Sequence, residues 1–293
     1  MRLVALILSL VCINAFAGEI TPEQFNEWKT KADQGDAGAQ CNIGTFYAEG
    51  DGVTQNYNEA IKWWRKSAEQ GEALAEFKLG ESYINGVGVE KNYFDAHKWF
   101  RRAADQGIAV AQNNIGYMYL NGDGVTKNEV EGVMWLRKAA EQGIAMAQQN
   151  LGLCYANGTG AAKDEKESVR WFRRAAEQGE AYAQNNLGIC YLYGAGVTKD
   201  EAEALYWFRK AADQGDARGQ NNVGLCYANG LGRTPKNLVE AYAYLNLSSV
   251  TQEKAGKALE VLKMQMTPSQ IEAGKKRSTE LQAEIEANKK NKR

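Results

Sequence analysis

Three features of this chain invite chemistry: a Gly-x-Gly loop at Gly194-Ala195-Gly196, the cysteines Cys41, Cys154, Cys190 and Cys226, and a single histidine, His97. A glycine loop cradles phosphate when it leaves a strand and opens a helix, because the helix N-terminus then aims backbone N–H groups at the anion. Cysteines at suitable distances bind metal or pair as disulfides. One histidine is too few for a histidine-based triad or a histidine-rich metal site. A fourth feature is a repeated run of amides. "AQQNLGLCYANGTG" (147–160), "AQNNLGICYLYGAG" (183–196) and "GQNNVGLCYANGLG" (219–232) are variants of one segment, and each keeps its Asn.

The elements that position these residues follow from a strict period. Gln-Gly recurs at Gln34, Gln70, Gln106, Gln142, Gln178 and Gln214, each step being 36 residues. Trp63, Trp99, Trp135, Trp171 and Trp207 keep that step, and so do Gly44, Gly80, Gly116, Gly152, Gly188 and Gly224. The next copy of the Trp position arrives one residue late, as Tyr244, because "GRTPKN" carries an extra residue around Pro235. A fixed period of this length is the mark of a repeat architecture.

Each unit reads as two helices. In the first, Ala183, Leu187, Cys190 and Tyr191 have helical spacing. Gly188 inside it costs about 1 kcal/mol relative to Ala, so its recurrence implies a helix contact too close for a side chain. Gly194 should end the helix in the left-handed conformation. The Gly-x-Gly loop therefore follows a helix, not a strand, and the phosphate reading fails. The second helix opens at Asn56, Asn92, Asn128, Asp164, Asp200 and Asn237, each followed three residues later by Glu or Asp in the manner of a capping box. Ala60, Trp63 and Ser67 share its buried face. Arg65-Lys66, Arg173-Arg174 and their equivalents sit in the last turn and read as a solvated end matched to the helix dipole. His97, at a position otherwise held by Ile, Val, Leu or Tyr, reads as a packing residue.

The ends differ from the repeats. Arg2, the apolar run Leu3–Ile13 and Ala15-Phe16-Ala17 have the layout of a signal peptide, residues 1–17, cleaved before Gly18. Residues 18–35 form an N-terminal capping helix opened by Thr21-Pro22-Glu23-Gln24. Residues 253–288 form C-terminal capping helices, with Thr267-Pro268-Ser269-Gln270 opening the last, and 289–293 a basic tail. Loss of Arg2 moves the formal charge from −1 to −2, which gives no nucleic-acid footprint. No later stretch is apolar for long enough to span a bilayer, so the cleaved chain is expected not to insert in a membrane. The product is expected to be exported, to a periplasm or beyond.

The elements A-x-x-N-L-G-x-x-Y-x-x-G-x-G-V, N/D-x-x-x-A-x-x-W and K-A-A-x-Q-G, all present in residues 183–215, resemble the Sel-one-like repeat (SLR) family, relatives of the tetratricopeptide repeats. Six copies cover residues 36–252. The resemblance implies an all-α fold: a right-handed α/α solenoid of 36-residue helix-turn-helix repeats, capped by helices at both ends. Some cysteine-rich members of that family bind penicillin or act weakly on β-lactams, with helix pairs tied by cysteines. The matching positions here are Ala104, Ala111, Ala140 and Ala147, and S-x-x-K and K-T-G motifs are absent, so that activity does not carry over. Stacked equivalent helices lie about 9–10 Å apart, and a disulfide needs Cα atoms within about 7 Å. Cys154, Cys190 and Cys226 therefore should neither pair nor hold zinc, and should be buried apolar residues, whereas Cys41, at another position, is open to exposure.

Overlay on a tetratricopeptide helix by L-G-x-x-Y places particular positions on the concave face. These are the two residues before Leu, the residue two beyond it and the residue before the loop Gly. In this chain the resulting groove set is Asn42, Asn113, Asn114, Tyr117, Asn121, Asn150, Leu153, Asn157, Asn185, Asn186, Ile189, Asn221, Asn222, Leu225 and Asn229. An amide offers a donor and an acceptor together, which suits the backbone of an extended peptide, and such amides should then stand open to solvent. The alternative is that each Asn ties its helix to the neighbour. The expected function is a monomeric scaffold that binds a protein or peptide in this groove, with no cofactor, no metal and no catalysis. An enzyme or binder acting on cell-wall peptides or glycans is the alternative, which Glu49 and Glu81 support only weakly, and a purely structural spacer is another.

Overall fold

A computed structural model describes residues 20–291, so the expected signal peptide and the final two residues of the tail lie outside the described residues. The described chain is all helical. It divides into two compact units, the first ending at Ala147 and taking in Thr159–Ala161, the second holding Gln148–Gly158 and the chain from Ala162 onward. The first contains α1 (Pro22–Asp33), α2 (Ala37–Glu49), α3 (Tyr57–Glu69), α4 (Ala73–Asn85), α5 (Tyr93–Asp105), α6 (Ala109–Asn121) and α7 (Glu129–Glu141). Helix α8 (Ala145–Asn157) spans the division. The second unit contains α9 (Glu165–Glu177), α10 (Ala181–Tyr193), α11 (Glu201–Ala212), α12 (Ala217–Asn229), α13 (Leu238–Ser249), α14 (Glu253–Lys263) and α15 (Pro268–Asn291). Even-numbered helices from α2 to α12 are the first, or A, helices of the repeats; odd-numbered ones from α3 to α13 are the B helices.

The recurrent glycine is explained by packing. A Cβ at Gly188 would lie 2.6 Å from Phe208 Cε1 and 3.0 Å from the Ala204 carbonyl oxygen. The same position meets Trp64 at Gly44, Phe100 at Gly80, Leu136 at Gly116, Phe172 at Gly152 and Leu245 at Gly224. The side chain that seats on the glycine is thus the one after the periodic Trp. The Trp itself reaches the preceding repeat: Trp135 of α7 joins the cluster built on Phe100 and Ile115, and Trp207 of α11 joins that of Phe172 and Leu187. Tyr244 takes this place beside Phe208 and Val223. The extra residue before it is absorbed in the loop after α12, where Arg233 adopts φ 61°.

The B helices open as Asx-capped helices, without the reciprocal half of a capping box. The Asn92 side chain accepts from the N–H groups of Phe94 and Asp95, and Asp200 does the same for Ala202 and Glu203. The backbone N–H of each cap is already taken, by the carbonyl of Tyr83 for Asn92 and of Tyr191 for Asp200. The acidic residue of the box is therefore released for other partners, as in Glu131, which accepts from Trp135 Nε1 at 3.0 Å. Complete boxes stand outside the repeats, at Thr21/Gln24 and Thr267/Gln270. Helix α15 continues through Lys289 and Lys290, where sequence reading places a tail.

The Gln of Gln-Gly bonds the A helix of its own repeat and the turn before it, as Gln142 does to the Gly107 carbonyl at 3.2 Å, and the basic pairs join repeats. Gln142 Nε2 donates to Gln112 Oε1 at 2.8 Å, Gln178 to Gln148 at 2.8 Å and Gln214 to Gln184 at 2.9 Å. Gln184 in turn caps the end of α9 by donating to the Ala176 carbonyl at 3.1 Å. The first cation bonds a tyrosine hydroxyl of the next A helix in four of the pairs, among them Arg65 to Tyr83 at 3.1 Å and Arg173 to Tyr191 at 2.6 Å. The second lies over an aromatic ring, Lys138 at 4.1 Å from the Trp135 indole, Arg174 at 4.8 Å from that of Trp171 and Lys210 at 5.5 Å from the Tyr206 phenol. These cations are fixed on the protein's own aromatic groups, more than a solvated helix end requires.

Candidate binding surface

The amide column stands on the A helices, and most of it is buried. In the first unit Asn113 and Asn114 are buried, Asn42 and Tyr117 half-buried and Asn121 exposed. Asn113 Nδ2 donates to Asn114 Oδ1 at 3.4 Å, which leaves Asn113 Oδ1 and Asn114 Nδ2 without protein partners. Lys78 and Glu81 occupy the neighbouring repeat and form an ion pair at 3.3 Å, and burial raises the Glu81 carboxyl against the pull of Lys78. Glu49 is exposed, so the two carboxylates of the enzyme alternative sit in unlike environments, one open and one neutralised by a lysine. Cys41, open to exposure by its repeat position, is buried: it packs with Trp64 and Leu79.

In the second unit the column splits by depth. Asn150 is 1% exposed and Asn185 is also buried, whereas Asn186, Asn221 and Asn222 are half-buried. Helices α10 and α12 touch, and Asn222 Nδ2 donates to Asn185 Oδ1 across that contact at 2.8 Å. Asn221 donates to Asn222 at 3.2 Å and Asn229 to the Leu225 carbonyl at 2.8 Å. The solvent-open amide expected from sequence thus does not hold at Asn113, Asn114, Asn150 or Asn185. Between α10 and α12 these positions lie toward the neighbouring A helix, and an amide there meets an amide. Of the apolar positions Leu225 is exposed and Leu153 and Ile189 are half-buried, and Asn121, Asn157 and Asn229 are exposed at the helix ends. Tyr193, 75% exposed at the end of α10, is the largest apolar group on this face, where other repeats carry Glu49, Asn85, Asn121, Asn157 and Asn229. No charged side chain occupies these positions in α8, α10 or α12.

Two of the four thiols are poor nucleophiles. Burial, with Glu165 next, pushes the Cys190 thiol up to about 11, and burial with Glu201 does the same at Cys226, to about 11. The thiolate, not the thiol, is the nucleophile. Burial and then the Arg101 charge lower the pKa of His97, whose ring packs edge-on against Tyr119 at 5.3 Å and whose Nε2 has no partner. Among the described residues no three His, Cys, Asp or Glu side chains come together as a metal site, and no helix is long and apolar enough to cross a membrane. The Gly-x-Gly loop seats on a helix end: a Cβ at Gly196 would lie 2.1 Å from the Glu165 carbonyl oxygen.

These features define a class, an all-α repeat scaffold whose B helices knit the stack and whose A helices carry the variable face. The Sel1 repeat model matches residues 37–72, 73–108, 109–144, 145–180, 181–216 and 217–249 in succession, and the chain belongs to the Sel1 repeat family. It is similar to c5321, a protective antigen present in uropathogenic Escherichia coli strains displaying an SLR fold, with 34% identity and a TM-score of 0.77 over 87% of this chain. It spans 56% of that protein's length. A Sel1 repeat protein from Oxalobacter formigenes is 36% identical, with a TM-score of 0.70 over 78% of this chain and 90% of its own. The comparison with curated proteins found no match.

Proposed function

We propose that the chain is an exported, non-catalytic scaffold that binds a protein or an extended peptide across its A-helix face. The observation that carries this reading is the uncharged apolar surface on α10 and α12, where Tyr193 and Leu225 are exposed beside Ile189 and the half-buried amides Asn186, Asn221 and Asn222. Exposed aromatic residues that the fold does not need are the usual anchors of interfaces. The half-buried amides flank the anchors and supply backbone partners at the rim, while the buried Asn185 ties α10 to α12 through Asn222. Arg2, Leu3–Ile13 and the Ala15-Phe16-Ala17 site support export, with cleavage before Gly18 as part of the proposal.

The test is selection of peptides from a random display library on the purified chain, followed by titration on two variants. Tyr193→Ala/Leu225→Ala should melt like the parent and bind the selected peptides about tenfold or more weakly, since hot-spot truncations cost about 2 kcal/mol or more. Asn185→Ala should instead lower the melting temperature, because it removes the acceptor of Asn222 Nδ2 between α10 and α12. Selected peptides that bind the double variant as well as they bind the parent would overturn the assignment of the face.

A further inference from the structure

The A-helix face of the unit that begins at Gln148 has a fixed spacing as well as a composition. Leu153, Ile189 and Leu225 hold one position in successive A helices, so each of α8, α10 and α12 offers one apolar side chain, half-buried or exposed. We infer that the occupant of this face is a peptide in the polyproline II conformation with an apolar residue at every third position, an inference that rests on the peptide-binding reading above and narrows it to one backbone shape and one motif.

The interval between the apolar side chains is set by helix packing. Helices α10 and α12 touch directly and are bridged by the bond from Asn222 to Asn185 at 2.8 Å. Helices in such contact have axes about 8–10 Å apart, so Ile189 and Leu225 repeat at about that distance. A ligand engages both only if its own side chains return to one side at the same interval. A β-strand returns every two residues, about 6.7 Å, and next at about 13 Å, so it falls out of step. A polyproline II helix has three residues per turn and returns at about 9.3 Å. An α-helix returns after seven residues, about 10.5 Å, so spacing by itself leaves two shapes.

The amides beside the apolar line decide between them. Asn221 and Asn222 are half-buried, so part of each reaches solvent. A side-chain amide has two N–H groups. Asn221 spends one on Asn222 at 3.2 Å and Asn222 spends one on Asn185, which leaves each a second N–H to donate. A helical ligand would offer these donors nothing, because its carbonyls are bonded within the helix. A polyproline II backbone has no internal hydrogen bonds, and its carbonyls are open along the whole segment. Tyr193 adds a third feature. It lies one turn beyond Ile189 on α10 and is 75% exposed, an aromatic surface of the kind on which proline-rich segments dock. No charged residue occupies the groove positions of α8, α10 or α12, so the ligand stretch that crosses them is uncharged. Three A helices make two intervals, and the motif is apolar-x-x-apolar-x-x-apolar with proline among the intervening residues.

The test titrates three acetylated and amidated peptides against the full chain by calorimetry. The first is four copies of Leu-Pro-Gln, with leucine at every third position. The second is four copies of Leu-Pro-Gln-Gln, which keeps the leucines and prolines but breaks the register. The third is a helix of Ala and Gln with leucine at every seventh position. The first should bind about tenfold or more tightly than either of the others, a difference of one well-seated anchor. Transferred nuclear Overhauser effects should give the bound peptide the extended ψ of polyproline II, near +145°. Leu225→Ala, at an exposed site, should keep the melting temperature and weaken the first peptide about tenfold. Equal binding of the first two peptides, tighter binding of the helical one, unchanged affinity in Leu225→Ala or no binding of the first peptide would overturn the inference. The broader reading then stands if library-selected peptides still lose affinity in Tyr193→Ala/Leu225→Ala, and falls with it if they do not.

Discussion

Substituting Gly188 by Ala sets two effects of opposite sign against each other. Ala is about 1 kcal/mol better than Gly inside a helix, and α10 is an ordinary helix at that point, so local propensity alone makes the variant more stable. The new methyl would sit 2.6 Å from Phe208 Cε1, 2.7 Å from its Cδ1 and 3.0 Å from the Ala204 carbonyl oxygen. Carbon atoms in contact settle at about 3.5–4.0 Å, so α10 and α11 must part by the better part of an ångström. Phe208 is fully buried and cannot swing away, and Ala204 O belongs to a helix backbone. Overpacking of this kind costs about 1–3 kcal/mol, and the rigid surroundings put it near the upper end. The net expectation is a loss of about 2 kcal/mol, or about 4–8 °C of melting temperature for a unit of this size. Gly256→Ala in α14 is the control: its nearest atom, Ser249 Cβ, is 4.0 Å away, so propensity should win and raise stability by about 1 kcal/mol. Urea and thermal unfolding followed by far-ultraviolet circular dichroism read both. Phe208→Ala completes the cycle, because on that background Gly188→Ala should no longer destabilise. A Gly188→Ala protein that melts at or above the parent, or strict additivity with Phe208→Ala, would refute the close-packing account.

Two further outcomes follow from the buried titratable groups. His97 has a folded pKa below its ordinary value, so its neutral form contributes stability above about pH 6.5 that is lost as the pH falls, while the unfolded chain takes up the proton. His97→Val, which installs the residue of Val133 and Val169, should remove that part of the acid destabilisation in unfolding titrations between neutral pH and pH 5, and an identical pH profile would contradict it. Cys190 and Cys226, with thiols pushed up to about 11, should resist iodoacetamide at neutral pH in the native chain and react together with Cys41 and Cys154 in denaturant, as counted by mass spectrometry. Rapid native labelling of Cys190 or Cys226 would show that the A helices open far more readily than their packing implies.

Much of the fold was legible because it is local. Six copies of one period, Asn or Asp at the start of each B helix and Gly at the end of each A helix act within a few residues of themselves, and the helices begin and end where those residues put them. The recurrent Gly188 position also announced a close contact, since only a tertiary cause can maintain a residue that weakens its own helix. The partner in that contact was not legible. Trp207 is the periodic aromatic, yet Phe208 seats on the glycine, because helices in the same repeat and in the one before meet different sides of α11. The same limit applies to polar groups. A Glu three residues after Asn128 reads as a capping box until Tyr119 O is seen to occupy the cap N–H. Lys138 and Arg173 read as solvated until an indole and a phenol are found beside them. The candidate binding surface depended most on tertiary structure. Sequence selected the A-helix positions that carry amides, but Asn185 bonds Asn222, 37 residues away and one repeat on, and that contact decides which amides are buried and leaves Tyr193 and Leu225 outside. Helix formation is fixed by neighbours three and four residues apart, whereas burial of a side chain is fixed by whichever helix packs against it, and that helix lies a whole repeat away in the chain.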